Sequence, residues 1–147
     1  MKRILGLDLG TKTIGIALTD ELGIAAHGYE TFRFEEFNYK KAREHVIELC
    51  EKFDIDEIAL GIPYYASGDL SPRAKSCLRF KDDLLKLNPN LKIEMIDESY
   101  STIEADELLK EQNLSYYKRK EIIDEMASVV ILNRYLAQKE AKNVTRR

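Results

Sequence analysis

The sequence predicts a mixed α/β sheet with helices on its faces, and three observations carry that expectation. Two alternating apolar runs near the start are separated by a short glycine-containing turn, the pattern of an antiparallel hairpin. A nearly continuous apolar run, "EIALGIP", follows a segment of helical period, as expected of a strand covered on both sides, and "LKIEMIDES" supplies a further strand after the next helical segment. A closing stripe of apolar residues at spacings of three and four supplies a long last helix.

In order, residues 3–9 and 14–19 form the hairpin strands, joined by Gly10-Thr11-Lys12-Thr13. Alternation sets Ile4, Gly6 and Asp8 on one face and Leu5, Leu7 and Leu9 on the other. A third strand is expected over residues 29–34. Asn38 is a good N-cap, and Ala42, Val46, Leu49, Cys50 and Phe53 recur after it at helical spacing. "EIALGIP" at 57–63 reads as a buried parallel strand. The segment "YYASGDLSPRAKS" reads as a loop closing on Ser71-Pro72, a cap and first position for a helix to about Leu87, where Asn88-Pro89-Asn90 breaks it. "LKIEMIDES" is a further strand, and Ser101-Thr102-Ile103-Glu104 is a capping box for a short helix to about Gln112. Beyond the Asn113-Leu114-Ser115 break, Ile122, Ile123, Met126, Ala127, Val130, Ile131 and Tyr135 line the last helix. Residues 1–138 are thus expected to form a single domain, with 139–147 a polar, basic, frayed tail.

The 147 residues are enough for one domain with a proper core, and 44% hydrophobic with 33% charged residues leaves no room for a long disordered region. A net charge of -3 argues against a protein that coats nucleic acid by bulk electrostatics, so any such contact has to come from a local patch. Cys50 and Cys77 have no CxxC spacing and no nearby histidine, which fits buried thiols in a reducing cytosol. The start Met1-Lys2-Arg3 imitates a signal peptide, but Asp8 and Gly10 interrupt the apolar run behind it. No window reaches the roughly 18 apolar residues of a membrane span. A cytoplasmic protein without membrane contact is expected.

Asp8 is the residue that calls for an explanation, because a carboxylate inside an apolar strand costs several kcal/mol unless something neutralises it. Asp97-Glu98 closes a later strand, and Asp124 borders the last helical stripe above the small residues Ala127 and Ser128. Three carboxylates from two strands and a helix repel one another without a cation, and oxygen donors of this kind suit Mg²⁺ or Mn²⁺. That set describes a two-metal phosphodiester hydrolase, in which one ion activates water and the other stabilises the leaving oxygen. Spacing alone also fits plainer roles: an Asx turn from Asp8 to Gly10-Thr11, a solvated strand end at Glu98, an ion pair of Asp124 with Lys120. For nucleic acid, Lys12 in the first turn, Arg73 and Lys75 near the second helix, and Arg119 and Lys120 opening the last helix are candidate phosphate contacts, with Tyr64 and Tyr65 as stacking faces. Each basic residue equally suits a solvated helix face. His27 and His45 show no metal-ligand spacing and are expected to be structural or exposed.

The opening Asp-x-Gly-Thr is similar to the first phosphate loop of the actin and sugar-kinase superfamily, but an ATP cleft of that type needs two such domains and this chain is unduplicated. Four ordered blocks carry a more specific likeness: "GLDLGTKTIGIALTD", "GIP" followed by Gly68 and "SPRA", "DES" with "ST", and "KEIIDEMASVVIL". Over almost its whole length the chain resembles the YqgF family, also called the RuvX-type or Holliday-junction-resolvase-like family, of RNase H-like fold. The resemblance implies a nuclease that matures the 5′ end of pre-16S rRNA, with activity on branched DNA as the second substrate class. It implies Asp8, Glu98 and Asp124 as the catalytic, metal-binding carboxylates, with Asp97 the alternative to Glu98. A ribosomal or assembly-factor partner, and a monomer or weak homodimer, complete the expectation. A non-catalytic nucleic-acid-binding module of ribosome assembly is the rival from another class. Two positions depart from the family pattern: Ser99 and Thr13 stand where arginines are usual, so part of the phosphate grip is missing.

Overall fold

The computed structural model describes residues 2–63, 71–98 and 115–145; within the last segment the described side chains are Ser115, Lys118, Ile122 and 126–142. Five strands and three helices lie in these segments: β1 (Ile4–Leu9), β2 (Thr13–Thr19), β3 (Ala26–Arg33), α1 (Tyr39–Phe53), β4 (Glu57–Ile62), α2 (Pro72–Leu87), β5 (Lys92–Asp97) and α3 (Tyr116–Thr145). The strands form one sheet in the order β3-β2-β1-β4-β5. β2 runs antiparallel to β1 and β3, whereas β1, β4 and β5 run parallel. The expected antiparallel start and parallel continuation are both present.

The period-two alternation of β1 sorts the core into two layers. Leu5, Leu7 and Leu9, with Ile14, Ile16, Leu18, Ile58, Leu60 and Ile62, pack under α1 and α2 against Val46, Leu49, Phe80 and Leu84. Cys50 and Cys77 are buried free thiols in that layer. Burial pushes each thiol up to about 12, so neither is a reactive thiolate near neutrality. The other face packs on α3 through Ile4, Ala17, Ala59, Ile96, Ile131, Leu132 and Tyr135.

Small residues decide how closely α3 approaches. Gly6 is flanked in register by Ala17 on β2 and Ala59 on β4, giving a shallow trough across the central strands. A Cβ on Gly6 would lie 2.7 Å from Leu132 Cβ and 2.9 Å from the Ser128 carbonyl oxygen, so the helix backbone rests almost on the sheet. At its far end α3 is fixed by Glu57, which accepts hydrogen bonds from Tyr135 and, at 2.7 Å, from Lys139.

Three expectations change. β3 starts at Ala26 rather than residue 29, because a bulge between Ile16/Ala17 and their β3 partners breaks the alternation that marks a strand. Asn38 stands at the head of α1 but makes no side-chain cap hydrogen bond. Residues 139–145, expected as a frayed tail, continue α3, where Lys139 pairs with Glu57 and covers the Tyr135 ring at 5.5 Å. The capping box at 101–104 and the short helix after it lie outside the described residues.

Candidate active site

The carboxyl ends of β1 and β5 bring Asp8 and Glu98 together. Asp8 has even parity with Gly6 on β1, so it stands on the α3 face. Glu98 follows β5 directly and is tied to β4 by a hydrogen bond from its N–H to the Ile62 carbonyl at 3.1 Å. Two residues after Ile96, its side chain turns to that same face and is only 7% exposed. Asp97 is exposed and has the opposite parity; its carbonyl accepts a 2.6 Å hydrogen bond from Arg134. Thus Glu98, not Asp97, meets Asp8.

The pair is chemically strained. Burial raises the Glu98 carboxyl to about 9, and a hydrogen bond and charge repulsion from Asp8 push in the same direction. Two carboxyl groups in hydrogen-bond contact need a proton or a cation between them. Arg73 moderates this: its guanidinium donates to the Leu9 carbonyl at 2.9 Å and lies 4.0 Å from Glu98 Oε1. The solvated-strand-end role for Glu98 is therefore excluded, and the turn beside Asp8 is closed instead by Gly10 N–H to Thr13 O at 2.8 Å.

Two further residues support the site: Ser71, which the sequence marks as a helix cap, and Gly61, whose role the sequence does not show. Gly61 makes the pocket for Glu98, because a Cβ there would meet Glu98 Oε2 at 2.6 Å and Ile131 Cδ1 at 2.5 Å. Its one signal is a glycine inside the apolar strand "EIALGIP". Ser71 both caps α2, accepting from Ala74 N–H at 3.0 Å, and donates to the Pro63 carbonyl at 2.8 Å. These two hydrogen bonds fix the start of α2, and hence Arg73, against the end of β4.

Other expected contacts are distributed differently. Lys12 is exposed in the β1–β2 turn at the same end of the sheet. Lys75 faces away from the carboxylates, into a cleft between α1 and α2. Positions 119, 120 and 124 are helical in α3, and the side chains of Arg119, Lys120 and Asp124 lie outside the described residues, as do Tyr64 and Tyr65. Among the described residues no group of three or more His, Cys, Asp or Glu gathers as a metal cluster. The described donors are two carboxylates in contact. An all-oxygen pair, the buried Glu98 in contact with the half-buried Asp8, in a pocket kept open by Gly61, fits a hard divalent cation.

A five-stranded sheet of the order β3-β2-β1-β4-β5, antiparallel at its start and parallel beyond, with an acidic pair at the ends of its parallel strands, is an RNase H-like fold. RuvC of Thermus thermophilus, in complex with Holliday junction substrate, superposes with TM-score 0.60 at 12% identity over 96% of this chain and 97% of that one. The Fowlpox virus resolvase, solved with Holliday junction DNA, gives 0.55 at 15% identity over 92% and 97%. These likenesses define the fold. The chain belongs to the RuvX family, described as Holliday junction resolvase, whose model matches residues 2–138. A relative from Bacillus cereus (strain AH187), named "Putative pre-16S rRNA nuclease", is 42% identical over 137 residues, 93% of this chain and 99% of its own length. One from Bacillus thuringiensis (strain Al Hakam) carries the same name at the same identity and coverage. The chain is accordingly a hydrolase of the nuclease class.

Proposed function

We propose that the chain is a divalent-metal-dependent nuclease that trims the 5′ end of pre-16S rRNA in the cytoplasm, with Asp8, Glu98 and Asp124 as its metal-holding carboxylates. The observation that carries this reading is the contact between Asp8 and the buried Glu98, which only a cation or a proton satisfies. The names of relatives at 42% identity supply the substrate. Asp124 joins through the register of α3. The helix runs from Ser128 over Gly6 toward Lys139 beside Glu57, antiparallel to β1. Position 124 is one turn before Ser128, about 6 Å along the axis, and Asp8 is about 7 Å beyond Gly6, so the two positions are level.

Mg²⁺ or Mn²⁺ bound there supplies an activated water and charge stabilisation for the leaving oxygen. The protein's own groups do the positioning. In this reading Asp8, near the end of the central strand β1, would be shared by the ions, and Glu98 and Asp124 would each complete the shell of one. Arg73, held by Leu9 O, presents its guanidinium beside the carboxylates, where a scissile phosphate would lie. Lys12 adds a second cation at the same edge, and a ribosomal particle or assembly factor would supply further specificity.

The family description favours a second reading, cleavage of four-way DNA junctions. Incubation of the purified protein and Asp8→Asn with labelled pre-16S leader RNA and with a DNA junction, in Mn²⁺, Mg²⁺ or EDTA, separates them. RNA cleavage lost in EDTA and in the variant supports the proposal. Junction cleavage alone would transfer the activity to DNA, and binding without any cleavage would make the chain a non-catalytic module.

A further inference from the structure

A second cationic site lies on the opposite side of the sheet edge. The first turn of α1 and residues 75–83 of α2 enclose a cleft of about 180 Å³, with Tyr39, Arg43, Lys75, Ser76, Arg79 and Asp83 in its lining. Three cations face one carboxylate there, and Arg43 is oriented by Asp83 at 3.5 Å. The cleft and the acidic pair share one helix: Arg73, two residues before Lys75, reaches over the edge to Leu9 and Glu98, while Lys75 lines the cleft, so α2 carries cations to both.

Its size limits what it can hold. Sites for whole small molecules start at about 300 Å³, whereas this one suits a single phosphate group. The lip is aromatic: the Tyr39 ring lies 6.4 Å from Phe37 and 5.9 Å from Phe34. Phe37 is 63% exposed and has φ of 64°, a left-handed conformation rare for a bulky residue. Its N–H bonds the Thr11 carbonyl at 2.8 Å, and Phe34 N–H bonds that of Lys12 at 2.9 Å, which fastens this lip to the turn beside Asp8. Backbone strain that displays a ring to solvent next to cations is the arrangement of a base-stacking platform.

We propose that the α1–α2 cleft grips one backbone phosphate of the RNA strand several nucleotides from the cut, with Phe37 stacking an unpaired base beside it. This rests on the nuclease reading above. It makes Arg43 and Arg79 substrate-positioning residues that act on affinity and register, apart from the chemistry at Asp8 and Glu98.

The test is binding of fluorescein-labelled single-stranded pre-16S leader RNA in EDTA, followed by anisotropy across a salt series, for the unmodified chain and Arg43→Gln/Arg79→Gln. Removal of a charge-assisted phosphate contact should weaken binding about tenfold or more. The slope of log K against log salt should become shallower by about 0.7, the value of one single-strand phosphate. Arg43→Lys/Arg79→Lys should recover most of the slope, and Phe37→Ala should weaken binding without changing it. Cleavage of a tetranucleotide too short to reach the cleft should be unchanged. Affinity and slope like those of the unmodified chain would overturn the proposal, as would an equal loss in the remote control Arg3→Gln/Lys52→Gln. Because binding is read without metal, absence of cleavage by the unmodified chain would count against the nuclease reading alone. Should the double variant melt early, Lys75→Gln, exposed at the cleft rim, takes its place with the same expected slope change.

Discussion

Replacing Gly6 by alanine probes how the site is held together. The new methyl would sit 2.7 Å from Leu132 Cβ and 2.9 Å from the Ser128 carbonyl oxygen, and neither is the far end of a flexible side chain. Both belong to the body of α3, so the helix itself has to rise by several tenths of an ångström. Overpacking of this kind costs about 1–3 kcal/mol. Alanine in place of glycine returns about 0.4–1 kcal/mol through the unfolded chain. The net expectation is a loss of about 1–2 kcal/mol, a drop in Tm of roughly 2–8 °C for a chain of this size. If Asp124 is the third carboxylate, as proposed, activity should fall further than stability, because lifting α3 moves position 124 away from Asp8 in a site that tolerates about 0.5 Å. Urea unfolding with circular dichroism gives the first quantity, and metal-dependent cleavage at a temperature where the variant is fully folded gives the second. Unchanged stability and turnover in Gly6→Ala would refute the claim that direct seating of α3 on β1 builds the site.

Further outcomes follow from the same geometry. Glu98 is raised above its ordinary value of 4.5, so the metal-free folded chain binds more protons than the unfolded chain between about pH 5 and about pH 8, and its stability should fall as pH rises there. The slope is at most about 1.4 kcal/mol per pH unit, and Glu98→Gln should flatten it in EDTA; parallel curves for the two proteins would refute the assignment. Asp8→Asn should abolish cleavage, weaken Mn²⁺ binding in calorimetry and leave the metal-free protein no less stable; undiminished Mn²⁺ affinity would remove Asp8 from the site. Gly61→Ala should lose about 1–3 kcal/mol together with turnover, because its methyl competes with the Glu98 carboxyl; wild-type metal affinity in that variant would show that Gly61 does not shape the pocket. Ser71→Ala should cost about 0.5–2 kcal/mol, measured by thermal unfolding, and Ser71→Asp should restore the cap bond but not the donation to Pro63.

What was legible in the sequence was periodic or carried by local chemistry. Alternation alone put Asp8 on the α3 face with Gly6, and the same parity distinguishes Glu98 from Asp97 once β5 is anchored by Ile96. Ser71-Pro72 marked the start of α2 because capping is a four-residue affair. The β3 boundary was hidden because the bulge removes the very alternation being read. Helix beyond residue 138 was hidden because it depends on Glu57, a partner far away in the chain. The role of Gly61 needed the Glu98 side chain in place, and the α1–α2 cleft needed the packing of two helices whose charges look like ordinary solvated faces.

The order of the elements along the chain bears on when the enzyme becomes dangerous. β1, carrying Asp8, leaves the ribosome before every other strand, while α3, the cover for its face, leaves after all five. The partly made protein can pair β1 with β2, yet the trough over Gly6 stays open to water until the closing helix arrives. Long-range assembly of this kind delays folding until synthesis of those segments is complete. The face that carries Asp8 is thereby completed only after the last described helix has been made.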